Sequence, residues 1–233
     1  MNDLVTASSQ AIQLLIYGDP EIWEIILISF SVSLRAIVIT APVAIIIAFC
    51  LSYYNFIGRR ILIALFNTAM SIPAVVVGLT LYLLLSRAGP MGDLKLLFTQ
   101  EAMIMGQILL CFPLLVALSH ASLQAADRRA WETAITLGAH PFKAFFTVLK
   151  EAQFGLIAAI IAGFGRIIAE VGSSMMVGGN ILNYTRNIPT AIALETSKGT
   201  YAQGIALGFV LLLLALTLNL FVSYIQGKGE VLS

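Results

Sequence analysis

Apolar residues gather in long runs along this chain, separated by short clusters of charge, glycine and proline. A helix that crosses a bilayer needs about 20 mostly apolar residues. Five stretches meet that requirement: residues 22–54, 61–85, 102–123, 154–177 and 201–226. The second and fifth carry no charge, and the third has only His120 near its end. The first is free of charge from Ala36 to Tyr54, and the fourth is interrupted by Arg166 and Glu170. The first stretch exceeds one crossing, so part of it tilts or projects, with Arg35 placed to snorkel towards an interface on its long stem. The pattern predicts an all-α membrane protein with five transmembrane helices over residues 22–226, a tail over 1–21 and a second tail over 227–233.

The connections are unequal. Asn55–Arg60 is a tight turn. The loop Ser86–Glu101 holds Gly89, Pro90 and Gly92, which punctuate turns, then a short apolar patch around Lys95 suited to the membrane interface. The segment 124–153 is the longest and most charged connection. The loop Gly172–Thr200 is polar, carries Gly178, Gly179 and Pro189, and continues into a helix-like run over Thr190–Ser197. There is no internal repeat and no low-complexity segment.

Composition supports the lipid reading. The chain has 233 residues, of which 59% are hydrophobic and 11% charged, against about 45–50% and about 25% in an ordinary soluble domain. Its mean hydropathy is +0.95. So little charge leaves no polar surface for a soluble enzyme or a disordered chain. A net charge of +1 argues against a nucleic-acid partner, which needs a basic face. Cys50 and Cys111 sit in apolar runs as small core hydrophobes, and no Cys/His spacing suggests a metal.

Charge also sets orientation, because Lys and Arg accumulate in cytoplasmic loops. Arg59, Arg60, Arg128, Arg129, Lys143, Lys150 and Lys228 fall on one side; Arg87, Lys95, Arg186 and Lys198 fall on the other. Seven against four puts the first set inside. The N-terminal tail, with Asp3, Asp19 and Glu21 but no Lys or Arg, lacks the basic region of a secretory signal and belongs outside. The C-terminus is then cytoplasmic.

Two segments carry candidate chemistry. In the long cytoplasmic loop, Trp131, Ala134, Ile135 and Gly138 fall at helical spacing, so a short amphipathic helix ends at Gly138. Pro141 suits the first turn of a second helix, which gathers Phe142, Phe145, Phe146 and Leu149 on one side. Large apolar side chains on a water-facing loop dock onto a partner or lie on the membrane surface; physical chemistry alone leaves both open. Within the fourth stretch, Arg166 and Glu170 share a helix face and can pair. Intramembrane charges face protein or a watery cavity. The pair is either an internal brace or a pathway cation with its counter-ion, with Ser173, Ser174 and Asn180 as neutral donors nearby. Pro73 predicts a kink in the second span, at a gate or simply in packing. Gly204 and Gly208 form a Gly-x-x-x-Gly pair, a close-packing signal. His120 and His140 read as interfacial polar residues. There is no phosphate loop, no Gly-x-Ser-x-Gly elbow and no His-Glu-x-x-His, so the chain is not its own ATPase and no catalytic residue is expected.

Glu132-Thr133-Ala134 followed by Gly138 resembles the Glu-Ala-Ala…Gly loop of ABC importer permeases, and Val148, with nine residues between it and the glycine, takes the family's aliphatic position, before Leu149-Lys150 where the family has Leu-Pro. Gly163-Phe164-Gly165-Arg166-Ile167-Ile168-Ala169-Glu170-Val171-Gly172, then Gly179-Asn180, is similar to the fourth-to-fifth helix region of the permeases for sulfate, molybdate or tungstate. Lys150-Glu151-Ala152 and Ile188–Thr196 look most like the short tungstate type. The resemblance implies a type I ABC importer permease-like fold with a cytoplasmic coupling helix between helices 3 and 4. It implies docking of an ATPase through Trp131, Glu132, Ala134, Ile135, Leu137, Gly138, Ala139, His140, Pro141 and Phe142. It implies a homodimer with a second copy, two ATP-binding subunits, and an extracytoplasmic substrate-binding protein. The chain would bind no cofactor or metal itself, ATP and Mg being used by the partner ATPase. ATP binding would turn the pathway outward and hydrolysis would reset it. Arg166, Glu170, Ser173, Ser174, Asn180 and Pro73 are the pathway candidates.

Other classes remain to be weighed. An ATP-independent secondary transporter or channel predicts inverted repeats or several paired intramembrane charges, and neither is present. A membrane-embedded enzyme needs an intramembrane nucleophile or acid pair, and Arg166 with Glu170 supplies neither. An importer permease for a different small solute is the nearest alternative.

Overall fold

The computed structural model describes Gln13, Tyr17, residues 19–127 and residues 129–230, with side chains up to residue 224. Most of the N-terminal tail, Arg128, the Lys228 side chain and residues 231–233 lie outside the described residues. All regular elements among the described residues are helical: α1 Pro20–Tyr53, α2 Arg59–Ala69, α3 Ala74–Leu85, α4 Gln100–Ala125, α5 Arg129–Thr136, α6 Pro141–Glu151, α7 Gln153–Ile168, α8 Gly172–Gly178, α9 Ile188–Lys198 and α10 Tyr201–Glu230. A single 3-10 turn, Gly92–Leu94, lies between α3 and α4. Three helices, α1, α4 and α10, are each long and apolar enough to cross a membrane; α2 with α3, and α6 with α7, pass only when each pair is taken as one broken span.

Two stretches depart from the sequence expectation. The second is broken instead of kinked. Helix α2 ends at Ala69, and Pro73, at φ −62° and ψ 131°, precedes α3 in extended conformation. Its carbonyl accepts from the N–H groups of Val76 and Val77 at 2.9 and 3.3 Å. Proline offers no N–H to a preceding turn and biases its predecessor towards extended backbone, so the helix restarts there. The fourth stretch, read as one span over residues 154–177 with Arg166 and Glu170 inside it, stops at Ile168 and resumes as α8. Glu170 Oε1 accepts from the N–H groups of Gly172 at 2.8 Å and Ser173 at 3.4 Å. The carboxylate thus satisfies the first donors of a new helix, which an unbroken α7 would have turned back on its own carbonyls. On its other side, α7 follows α6 across a 72° bend, so helical structure extends back into the segment read as a loop.

The chain divides into two compact units. The first takes residues up to Ala36, Ile72–Leu110 and Gly165–Thr217. In it α8 is wedged between α3 and α4. A Cβ on Gly78 would stand 2.8 Å from Ser173 Cα, so that contact requires glycine; one on Gly106 would stand 2.6 Å from Ser173 Oγ, so the hydroxyl would have to turn away. Ile22, Ile25 and Ile26 of α1 form a core with Ile188 and Ala191 of α9 and with Ala206 and Leu207 of α10. Helix α9 opens with a reciprocal cap between Asn187 and Thr190, and Ser29 Oγ accepts from the Ile188 N–H at 2.7 Å. Gly204 sits beside Thr196 and Glu195 of α9, while Gly208 faces open space within the chain.

The second unit takes Ile37–Ser71, Cys111–Phe164 and the residues from Leu218. Its core joins Ala48 and Phe49 of α1, Leu123 of α4, Val148 of α6 and Leu156 of α7. Arg59 reaches back to the end of α1: its Nε donates to Leu51 O at 2.5 Å and its Nη1 to Asn55 Oδ1 at 3.2 Å. This satisfies a carbonyl the helix end leaves open and places a cation at the negative end of the helix dipole. His120 Nδ1 lies 2.9 Å from Ser52 Oγ. Both cysteines are free thiols, Cys111 buried and Cys50 half-buried.

Candidate functional site

The first candidate is the helix–glycine–helix segment in the second unit. Asp127 Oδ1 accepts the Arg129 N–H at 2.8 Å and starts α5. The helix ends in paired closing bonds: the Gly138 N–H donates to Ile135 O at 3.0 Å and the Ala139 N–H to Ala134 O at 2.9 Å. Gly138 stands at φ 80°, the left-handed conformation such an ending requires. Nothing lies within 4 Å of where its Cβ would be, so glycine is needed here for backbone conformation and not for space. His140 Nδ1 accepts from the Phe142 N–H at 3.3 Å, and Pro141 opens α6.

The large side chains of this segment divide into two groups. Trp131 is half-buried, its ring 5.4 Å from those of both Phe49 and Tyr53 on α1. Phe145 stands edge-on to Phe49 at 4.7 Å. These rings hold α5 and α6 against the end of α1. In contrast, Leu137 is 82% exposed, Phe142 65% and Phe146 52%, with the Phe142 and Phe146 rings 4.9 Å apart. Ile135 is also exposed, as are Glu132 and Pro141, whereas Ala134 and Ala139 are half-buried. Of the ten residues from Trp131 to Phe142 that the family resemblance assigns to docking, Trp131 is an inward anchor, whereas Leu137 and Phe142 belong to an outward apolar ridge. Phe49 and Tyr53, which receive the anchor, were missed. Their i, i+4 spacing at the end of α1 was the available signal.

The second candidate is the Arg166–Glu170 pair in the first unit. Arg166 Nη1 donates to Glu170 Oε2 at 2.7 Å, and the side chains are 45% and 8% exposed. Glu170 therefore holds the guanidinium with one oxygen and the start of α8 with the other. Ser173 and Ser174 are buried, and neither hydroxyl has a hydrogen-bond partner among the described residues. Asn180, at φ 52°, lies just past the far end of α8, with a buried Oδ1 likewise unpartnered. The first turn of α3, which Pro73 opens, meets α8 through Val75, whose Cγ2 is 2.8 Å from where a Cβ on Gly172 would stand. Gln107 was not foreseen: its Nε2 donates to Ile167 O at 3.3 Å, satisfying a carbonyl at the end of α7. Among the described residues, no three or more His, Cys, Asp or Glu groups stand together as a metal site would require.

Glu195 on α9, outside the candidate spans, is the described carboxylate with a displaced pKa. Burial alone would raise it, but the Thr200 hydroxyl and the Lys198 ammonium outweigh burial and hold it below its ordinary value. Lys198 Nζ lies 2.9 Å from Glu195 Oε1. The three side chains lock the turn from α9 into α10.

Comparison with known proteins places this architecture. The family of binding-protein-dependent transport system inner membrane components matches residues 40–228. A probable anion ABC transporter permease protein of Haloferax volcanii is 39% identical over 82% of this chain and 85% of its own length. The tungstate uptake system permease protein TupB of Peptoclostridium acidaminophilum is 37% identical over 94% of this chain and 96% of its own. Among solved structures, a chain of the MetNI methionine ABC transporter, captured in inward-facing conformations, superposes with a TM-score of 0.63 at 18% identity, covering 92% of this chain and 97% of that one. The fold is thus type I importer permease-like. Because one family pattern runs through both units and across the glycine-hinged segment, the chain belongs to the binding-protein-dependent transport system inner membrane components.

Proposed function

We propose that this chain is the membrane-spanning permease subunit of an ATP-driven importer of oxyanions, with tungstate the favoured cargo. The observation that carries the cargo is the similarity to a tungstate uptake permease over nearly the whole of both chains. In this reading two copies enclose the pathway. Each presents the ridge of Leu137, Phe142 and Phe146 to a separate ATP-binding subunit, which uses ATP and Mg. Trp131 stays within the permease as the mount of that ridge. An extracytoplasmic binding protein delivers the anion. The seven-to-four bias of Lys and Arg supports a C-terminus and docking ridge on the cytoplasmic side.

The mechanical requirement is a stiff link between ridge and membrane helices. The ring cluster of Trp131, Phe49, Tyr53 and Phe145 supplies contact from α5 and α6 to α1, so displacement of the ridge is transmitted and not absorbed. Arg166 is the pathway cation in this reading, because a half-exposed charge on an apolar helix must face water or protein.

The test is reconstitution with a partner ATPase and binding protein, followed by uptake of tungstate, molybdate and sulfate into ATP-loaded proteoliposomes. ATP-dependent uptake, highest for tungstate, is expected. Uptake without ATP, or purification of the permease without a nucleotide-binding partner, would overturn the importer reading.

A further inference from the structure

We propose that Glu170 is a built-in counter-anion that weakens the grip of Arg166 on a passing oxyanion, and so acts as a positioning residue for release; this rests on the oxyanion reading above. Arg166 commits Nη1 to Glu170 Oε2 at 2.7 Å and remains 45% exposed. Its other guanidinium nitrogens make no hydrogen bond among the described residues. That uncommitted edge has the planar fork geometry that suits two oxygens of a tetrahedral anion. On an apolar helix the edge cannot face hydrocarbon cheaply, so it looks into the watery pathway of the assembled transporter.

Glu170 cannot leave the pair when an anion arrives. It is 8% exposed, and its second oxygen accepts from the N–H groups of Gly172 and Ser173. Gly172 itself abuts Val75. The carboxylate is therefore bound into the turn between α7 and α8, and the pair carries no net charge while the guanidinium keeps its outer donors. A bare guanidinium in a low-dielectric passage would attract a dianion strongly and release it slowly. With a carboxylate fixed on its far edge, the guanidinium still offers hydrogen-bond donors to the dianion while the carboxylate repels it. The neutral, buried Ser173 and Ser174 beside it add no further charge.

The test uses the purified permease–ATPase complex in nanodiscs without the binding protein, with tungstate as the probe and retained tungsten measured by elemental analysis. Glu170→Gln keeps an oxygen acceptor for the Gly172 N–H and removes the charge. Retention is expected to rise about tenfold, the low end of what an adjacent opposite charge does to an ionic equilibrium. In proteoliposomes the same variant should show a lower maximal uptake rate with an unchanged or lower half-saturating concentration. The double variant Arg166→Gln with Glu170→Gln should lose the extra retention. Where Glu170→Gln does not assemble, Glu170→Asp withdraws the carboxylate from the guanidinium by one methylene and should give intermediate retention. Wild-type retention in either single variant overturns the proposal, as does lost uptake with lower thermal stability and no gain in retention. Failure of the wild-type complex to take up any of tungstate, molybdate and sulfate overturns the oxyanion reading as well; normal wild-type uptake with unchanged retention in the variants overturns this proposal alone.

Discussion

Trp131→Ala is the sharpest test of how the segment between α4 and α7 works. Removing a fully buried large aromatic side chain costs about 3–5 kcal/mol. Trp131 is half-buried, so about half of that is at stake. Its two ring contacts, to Phe49 and to Tyr53 at 5.4 Å each, account for a further estimate on the same scale, at about 0.5–1.5 kcal/mol per aromatic pair. Both routes give about 2 kcal/mol, which is roughly a thirtyfold change in a local opening equilibrium. The loss should be greatest in α5, because Trp131 only packs against the margin of the core of Ala48, Phe49, Leu123, Val148 and Leu156 and is not one of its buried members. Hydrogen exchange on the permease in nanodiscs should show amides of residues 129–137 exchanging about thirtyfold faster, with α4 nearly unchanged. Transport should become loosely coupled, ATP turnover continuing while uptake falls. Trp131→Phe should recover most of the protection. Wild-type exchange across α5 in Trp131→Ala, or a Phe variant as exposed as the Ala variant, would refute the anchor.

Other outcomes follow from the same geometry. Leu137→Asp and Phe142→Asp alter side chains that are 82% and 65% exposed; each should leave thermal stability unchanged and abolish co-purification of the ATPase, measured by pull-down from detergent. Gly138→Val places a β-branched residue at φ 80° and should cost about 1–2 kcal/mol in the ending of α5; Gly138→Asn should be milder, because Asn tolerates the left-handed conformation and the space is open to either side chain, and equal uptake in both variants would count against the strained ending. Gly106→Leu should prevent α4 from meeting Ser173 and be visible as loss of folded protein in size-exclusion chromatography. Glu195→Gln should destabilise the turn from α9 to α10 at neutral pH. Because the folded carboxyl lies below its ordinary value of 4.5, its contribution is present above that value and fades as pH falls through the lower, folded one, so variant and wild type should converge in acid by thermal unfolding.

Much of this protein was legible in its sequence, because a bilayer imposes a length and a polarity on whatever crosses it. The apolar stretches beginning at Ile22, Ala102 and Tyr201 became α1, α4 and α10 within a few residues. The glycine ending at Gly138 and the proline start at Pro141 were equally plain, since backbone conformation at those positions is a local property of the residue type. Legibility failed where a partner distant in sequence decides the outcome. Pro73 announced a disturbance but not a complete break. The end of α7 at Ile168 depended on a Glu170 carboxylate turning forward to the N–H groups of Gly172 and Ser173 as well as back to Arg166. Periodicity alone reports only the second of those contacts.

The sequence by itself determined an all-α chain for a lipid environment, its candidate spans and a helix–glycine–helix segment that resembles a family motif, because hydrophobic length, helix-ending residues and motif spacing are written in consecutive residues. Only the tertiary structure decided which of that segment's aromatic rings face inward and which stand exposed, and that Glu170 is fixed between a cation and a helix start. Those outcomes depend on which surfaces meet: Phe49 and Tyr53 lie more than seventy residues before Trp131, and side chains identical in hydrophobicity become anchor or ridge according to what packs against them.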